Sequence, residues 1–124
     1  MNVVDSSGWL AYFADEANAD RFGPVLVQTD ALLVPTVIVF EVTKVLLRES
    51  GEDQALQAVA AMQRATVVDL TPQLATAAAK LSLRHSLPMA DSIILATAQA
   101  HNATIWTQDA HFSQLPHVEY SPKV

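Results

Sequence analysis

Four acids in this chain sit against apolar surroundings, where a charge needs a reason. Asp5 follows "NVV", Glu41 lies inside "VPTVIVFEV", Asp91 is planted in "LPMADSIILATA", and Asp109 follows "TIWTQ". With Pro88 at the first helical position, Asp91 falls one step past the usual capping sites. Helical spacing then aligns it with Ile94, Leu95 and Ala98, the stripe that this helix should bury. An acid at the edge of a buried stripe requires a partner. Four carboxylates gathered without an equal number of cations would repel one another, and burial would raise their pKa values. A divalent ion resolves both problems, because Mg2+ and Mn2+ take oxygen ligands, keep several waters and can activate a water against a phosphodiester. The chemistry suggested is metal-assisted phosphodiester hydrolysis with no covalent enzyme intermediate. Each acid also has an ordinary alternative: Asp5 and Asp109 as helix caps, Glu41 and Asp91 as helix-surface residues.

The elements that must position these residues alternate short strand-like runs with longer helical patterns, which is an α/β reading. Strands are expected at Asn2 to Val4, Leu32 to Val34, Thr66 to Asp69, Thr104 to Trp106 and Val118 to Tyr120. None clearly alternates in polarity, as suits strands buried on both faces of a parallel sheet. Helices are expected over Thr36 to Glu49, Asp53 to Arg64, Pro72 to His85, and Pro88 to about His101. Ser50, three residues ahead of Asp53, offers an N-terminal box for the second of these. Thr71 before Pro72 is a strong helix start, and Asn102 is a good left-handed terminator. Residues 6 to 30 should hold one or two short helices, with Gly23 and Pro24 disturbing the second. Asp5 and Asp109 then lie at carboxyl ends of strands. In open parallel sheets ligands bind outside those ends, where strand order reverses, so the two acids face each other if the first and fourth strands are central neighbours.

The bulk numbers bound the rest. At 124 residues and 51% hydrophobic content, the chain suits one domain, 1–124, with a proper core. It has no cysteine, which fits the cytoplasm. The apolar run from Ala31 to Phe40 is about half of the roughly 20 residues that a membrane span needs, and Asp5 falls where a leader would be, so no membrane association is expected. A net charge of −6 argues against a generally basic surface for nucleic acid. Local cations remain: Lys44 and Arg48 share a helix face with Glu41, and Lys80 and Arg84 lie one turn apart shortly before Asp91. Histidines 85, 101, 111 and 117 have no metal-type spacing on one helix and read as surface or capping residues. Trp9, Tyr12 and Phe13 read as core or interface.

"VVDSSGWL", "VPTVIVFEV", "LPMADSIILATA" and "ATIWTQDAHF", in this order and spacing, resemble the PIN-domain ribonucleases, in particular the VapC-like toxins of toxin-antitoxin modules. The resemblance covers nearly the whole chain. It implies a three-layer α/β/α sandwich around a central, mostly parallel sheet of about five short strands. It also implies an endoribonuclease dependent on Mg2+ or Mn2+, with the acids on Asp5, Glu41, Asp91 and Asp109 as catalytic and metal-holding residues. The hydroxyl two places before the last acid matches Thr107, suited to orienting a water or a carboxylate, and Ser7 is a supporting residue beside Asp5. For substrate binding Lys44, Arg48 and Arg84 are the candidates, with RNA as the substrate. The implied partners are a second copy in a homodimer and a small antitoxin whose C-terminal segment wraps the toxin. The alternative is a module that keeps the fold and its partner with little hydrolysis. Two other α/β readings fall away. A phosphatase with an aspartyl nucleophile needs an acid where Ser7 stands, and a receiver domain needs a lysine that is missing beside Gln108 and Asp109.

Overall fold

Five short strands form one parallel sheet in the computed structural model, which describes residues 1–124: β1 (Asn2–Val4), β2 (Leu32–Pro35), β3 (Thr66–Val68), β4 (Thr104–Thr107) and β5 (Val118–Tyr120). Their order is β3-β2-β1-β4-β5. β1 is central, pairing Asn2 and Val3 with Leu32 and Leu33 on one side, and Asn2 to Val4 with Thr104 to Trp106 on the other. The inner strands β1, β2 and β4 carry the buried side chains, β2 at all four residues, whereas the edge strands β3 and β5 have none fully buried. Parallel neighbours require crossovers, and the helices supply them. They are α1 (Ser6–Phe13), α2 (Ala19–Leu26), α3 (Thr36–Glu49), α4 (Glu52–Met62), α5 (Pro72–His85) and α6 (Met89–Ala100). The product is the expected α/β sandwich. No helix is long and apolar enough to cross a membrane.

The core is a cluster of 25 buried side chains running from the strands (Val3, Val4, Leu33, Val34, Ile105) to Phe22, Ile38, Val42, Met62 and Ile94 on the helices. α6 is its most deeply set helix, buried continuously from Asp91 to Ala98.

Most element ends follow their local chemistry. The Thr71 side chain accepts from the Leu74 N–H and Pro72 occupies the first turn of α5. Ser86 and Asn102 end α5 and α6 with φ of 53° and 52°. Two expectations at helix starts are corrected. Ser50 forms no box with Asp53: Gly51 caps α4 instead, at φ +95°, a backbone conformation that glycine adopts without steric cost, so the helix begins at Glu52. Pro88 is the residue before α6 rather than its first position, which places Asp91 third in the helix, within the first turn. A carboxylate there ordinarily reaches back to the cap residue's N–H. Proline has none, so the Asp91 carboxylate is left for other partners.

Candidate active site

Because β1 and β4 are neighbours and both run toward the same edge, the residues just after them meet. Asp5 leaves β1 as the cap of α1, its Oδ1 accepting from the Gly8 N–H at 3.1 Å. Gly8 is required by this close approach, since a Cβ there would lie 2.5 Å from Val4 Cγ1. Two hydroxyls complete the hold on Asp5. Ser7 Oγ donates to Oδ1 at 2.6 Å while accepting from the Gln108 N–H at 3.3 Å. Thr107 Oγ1 donates to Oδ2 at 2.6 Å while accepting from the Asp109 N–H at 2.8 Å. A hydroxyl has one proton, so each backbone N–H directs that proton to the carboxylate. Asp5 is 2% exposed. Burial pushes its carboxyl up to about 6, aided by the nearby charge of Asp109 and opposed by the bonds from Ser7, Thr107 and Gly8.

Asp109 follows β4 and caps the 3-10 turn Ala110–Phe112, its Oδ1 accepting from the His111 N–H at 2.9 Å. Phe112, fully buried, anchors that turn. The turn carries the His111 ring back over two acids: Nδ1 lies 2.9 Å from Asp91 Oδ2 and 3.1 Å from Asp109 Oδ1. Burial, then the charge of Asp109, raises the Asp91 carboxyl to about 6, with His111 pulling it down. His111 is held above its ordinary value, chiefly by Asp109. Asp91, Asp109 and His111 can each place one ligand atom within 4.8 Å of the others, the spacing that a shared ion needs. Asp5 is joined to this group through Thr107 and the Asp109 backbone. No lysine or arginine pairs with Asp5, Asp91 or Asp109.

Glu41 approaches from α3, where its Oε1 accepts from Ser6 Oγ at 2.8 Å, one residue from Asp5. The cations stand further out. Lys44 Nζ sits 5.7 Å from the Phe40 ring centroid, Arg48 pairs with Glu49 at 3.6 Å, and Lys80 and Arg84 are exposed on α5. Trp9 is buried and stacks on Phe13 at 5.7 Å, as a core residue does. A cavity of about 430 Å³ opens beside Ser6 and Ser7 and runs between α1 and the α3–α4 hairpin, past Leu10, Leu46 and Glu49.

Three residues escaped sequence reasoning. His111 was sought as a surface or capping residue, by spacing within one helix; its signal is instead the two-residue step from Asp109 within a turn. Gln108 is 6% exposed. Its Nε2 donates to the Ser7 carbonyl at 3.3 Å, and its Oε1 accepts from Asn18 Nδ2 at 2.9 Å. Asn18 Nδ2 also donates to the Pro122 carbonyl at 2.9 Å, tying the loop before α2 to the segment after β5. Nothing in the sequence marks these two amides, because each earns its place through partners about 100 residues away.

Comparison with known proteins places this arrangement. Curated protein sequences give no match. Among solved structures the chain is similar to a toxin-antitoxin complex from Klebsiella pneumoniae, with TM-score 0.84 and 18% identity over 100% of both chains. It is similar to Mycobacterium tuberculosis VapC20, a Sarcin-Ricin loop cleaving toxin, with TM-score 0.83 and 21% identity, covering 98% of this chain and 100% of that one. It is also similar to DNA-bound VapBC from Salmonella typhimurium, with TM-score 0.74 and 14% identity over 98% of each chain. At these identities the likeness is one of fold. The PIN domain model matches residues 3–118, nearly the entire chain, and the protein therefore belongs to the PIN domain family.

Proposed function

We propose that this protein is a divalent-metal-dependent endoribonuclease, the toxin of a toxin-antitoxin pair, working in the cytoplasm as one nuclease unit over residues 1–124. PIN domains are nucleases that generally use divalent metals, and an acidic cluster is present here. The observation that carries the reading is the group Asp91, Asp109 and His111, whose ligand atoms lie within 4.8 Å of one another, with buried Asp5 tied to it through Thr107, the Asp5 and Asp91 carboxyls raised, and no lysine or arginine beside them. Such a site demands a cation. The donors fit Mg2+ or Mn2+, which Asp5, Glu41, Asp91 and Asp109 would hold. When bound, the ion activates a water and stabilises the charged oxygens of the phosphodiester.

The chain's own residues supply position. Thr107 and Ser7 fix both oxygens of Asp5, and the Asp109 backbone fixes Thr107, so the carboxylates are set before any ligand arrives. Phosphates along the RNA are assigned to Lys44 and Arg48 on α3, with Arg84 on α5 beyond them. Changing Lys44 and Arg48 together to Glu should weaken RNA binding at least tenfold with the fold intact, measured by filter binding and circular dichroism. The choice of RNA is supported by VapC20, whose target is the Sarcin-Ricin loop, and the antitoxin by the solved complexes. A basic antitoxin segment lying in the groove beside Ser6 and Ser7 would meet Glu16 and Glu49 on its way to the carboxylates. A second copy completes the proposed assembly as a homodimer.

The deciding experiment is cleavage of total and transfer RNA by the purified protein with Mg2+ or Mn2+, beside an EDTA control and an Asp5→Asn, Asp91→Asn double variant. Metal-supported cutting that the variant loses, by a factor of at least a hundred, is expected. Equal cutting by the variant would overturn the assignment. Metal binding without cutting of any RNA would favour the binding module over the nuclease.

A further inference from the structure

We infer that His111 is a nitrogen ligand of the metal centre, and that it tilts this centre toward Mn2+ over Mg2+. The inference rests on the metal-dependent reading above and adds a residue that the four acids do not require.

Spacing is the first argument. Neighbouring ligand atoms around an octahedral ion at about 2.1 Å stand roughly 3.0 Å apart, the metal–ligand distance multiplied by the square root of two. His111 Nδ1 stands 2.9 Å from Asp91 Oδ2 and 3.1 Å from Asp109 Oδ1. In the metal-free protein Nδ1 hydrogen-bonds Asp91 Oδ2 and lies within ion-pair distance of Asp109 Oδ1. Replacing the Nδ1 proton by an ion leaves the nitrogen spaced from each of the two acid oxygens as adjacent corners are.

Support for the ring is the second argument. The backbone that carries it is anchored by the turn. The His111 backbone N–H is bonded to Asp109 Oδ1, and the next residue, Phe112, is locked in the core. The turn therefore brings the ring within reach of both acids. Its side chain is 57% exposed. Water can thus solvate an Nε2–H while Nδ1 offers its lone pair, which is the tautomer a ligand needs.

Donor chemistry is the third argument, and it sets the preference. Mg2+ favours a shell of oxygens, whereas imidazole suits the later divalent ions, and affinity at mixed nitrogen and oxygen sites rises from Mn2+ onward along the first row. His111 is the only basic side chain in contact with the acids, so it is the group that makes this site differ from a pure carboxylate cage.

The test uses the whole chain with Mn2+ and Mg2+ alone, without RNA. Pulsed electron paramagnetic resonance of the Mn2+-loaded protein should show coupling to a nitrogen-14 nucleus, absent in His111→Ala and His111→Asn. Both variants keep the backbone N–H that caps Asp109. Titration calorimetry should show the Mn2+-to-Mg2+ affinity ratio falling about tenfold in both variants, the size of effect that loss of a supporting contact at a metal site produces. Bound Mn2+ with no nitrogen coupling, or a ratio unchanged by either variant, would overturn the inference and leave the metal-dependent reading standing. Tighter Mn2+ binding by His111→Ala would also overturn it, making the ring a competitor of the ion. A folded wild-type protein that binds neither ion would remove both the inference and the reading beneath it.

Discussion

Thr107 carries more of the site than its size suggests. Fully buried, its hydroxyl accepts a hydrogen bond from the Asp109 backbone N–H and donates one to Asp5, so one oxygen atom holds two of the acids in register. Thr107→Val keeps the shape and removes that oxygen, leaving a backbone N–H and a buried carboxylate oxygen short of partners. It should cost about 1–3 kcal/mol in urea unfolding and lower cleavage more than tenfold, with Thr107→Ser restoring most of both. At this scale the sequence was legible in its residues and misleading in its choices. Cap and metal ligand stood as alternatives for Asp5 and Asp109, yet the structure makes both residues caps, through Oδ1, while Asp109 also stands within ligand distance of Asp91 and His111. A carboxylate has enough lone pairs for a backbone N–H and a further partner, so the first role does not argue against the second.

Among the elements, α1 is the most constrained, because its first turn must lie against β1 while its cap faces the crevice. Gly8 permits this; Val4 Cγ1 and the Phe22 ring would lie 2.5 Å and 3.0 Å from an added Cβ. Gly8→Ala is therefore expected to destabilise the protein by about 1–3 kcal/mol, read as a lower melting temperature, despite alanine's better helix propensity. Strand and helix positions were legible to within a residue or two, since buried runs and the Thr71–Pro72 start are local signals. The failures were local as well. Ser50 lost to Gly51 because the α3–α4 turn uses a positive φ, and a box needs an extended cap. Residues 6 to 30 resolve into α1 and α2 with Pro24 inside the second, tolerated on its exposed side.

For the whole molecule, the raised carboxyls couple stability to pH and to metal. Asp5 and Asp91 have pKa values of about 6 in the fold against 3.8 as the ordinary value, so between these limits the folded chain holds more protons than the unfolded one. Metal-free stability should accordingly fall as pH rises from about 4 through 6, by roughly 3 kcal/mol for Asp5, and the raised His111 extends the decline above its ordinary value. Thermal melts in EDTA at pH 5 and pH 7.5 check this, with the lower melting temperature expected at pH 7.5. Asp5→Asn should flatten the difference, and Mn2+ should raise the melting temperature more at pH 7.5 than at pH 5. In the sequence, β1–β4 adjacency stood only as the condition under which Asp5 and Asp109 face each other, and the order β3-β2-β1-β4-β5 meets it. Gln108 and Asn18 were not legible, since their partners are distant in sequence and polar contacts leave no periodicity.

That adjacency also has a meaning during synthesis. β1 is made first, but its partner β4 begins at Thr104 and the acid that follows it is Asp109. In any fragment that stops short of these residues, Asp5 has neither Thr107 nor Asp109 to meet. The arrangement that joins Asp5 to Asp109 through Thr107 is thus complete only once the segment from Thr104 to Asp109 is in place.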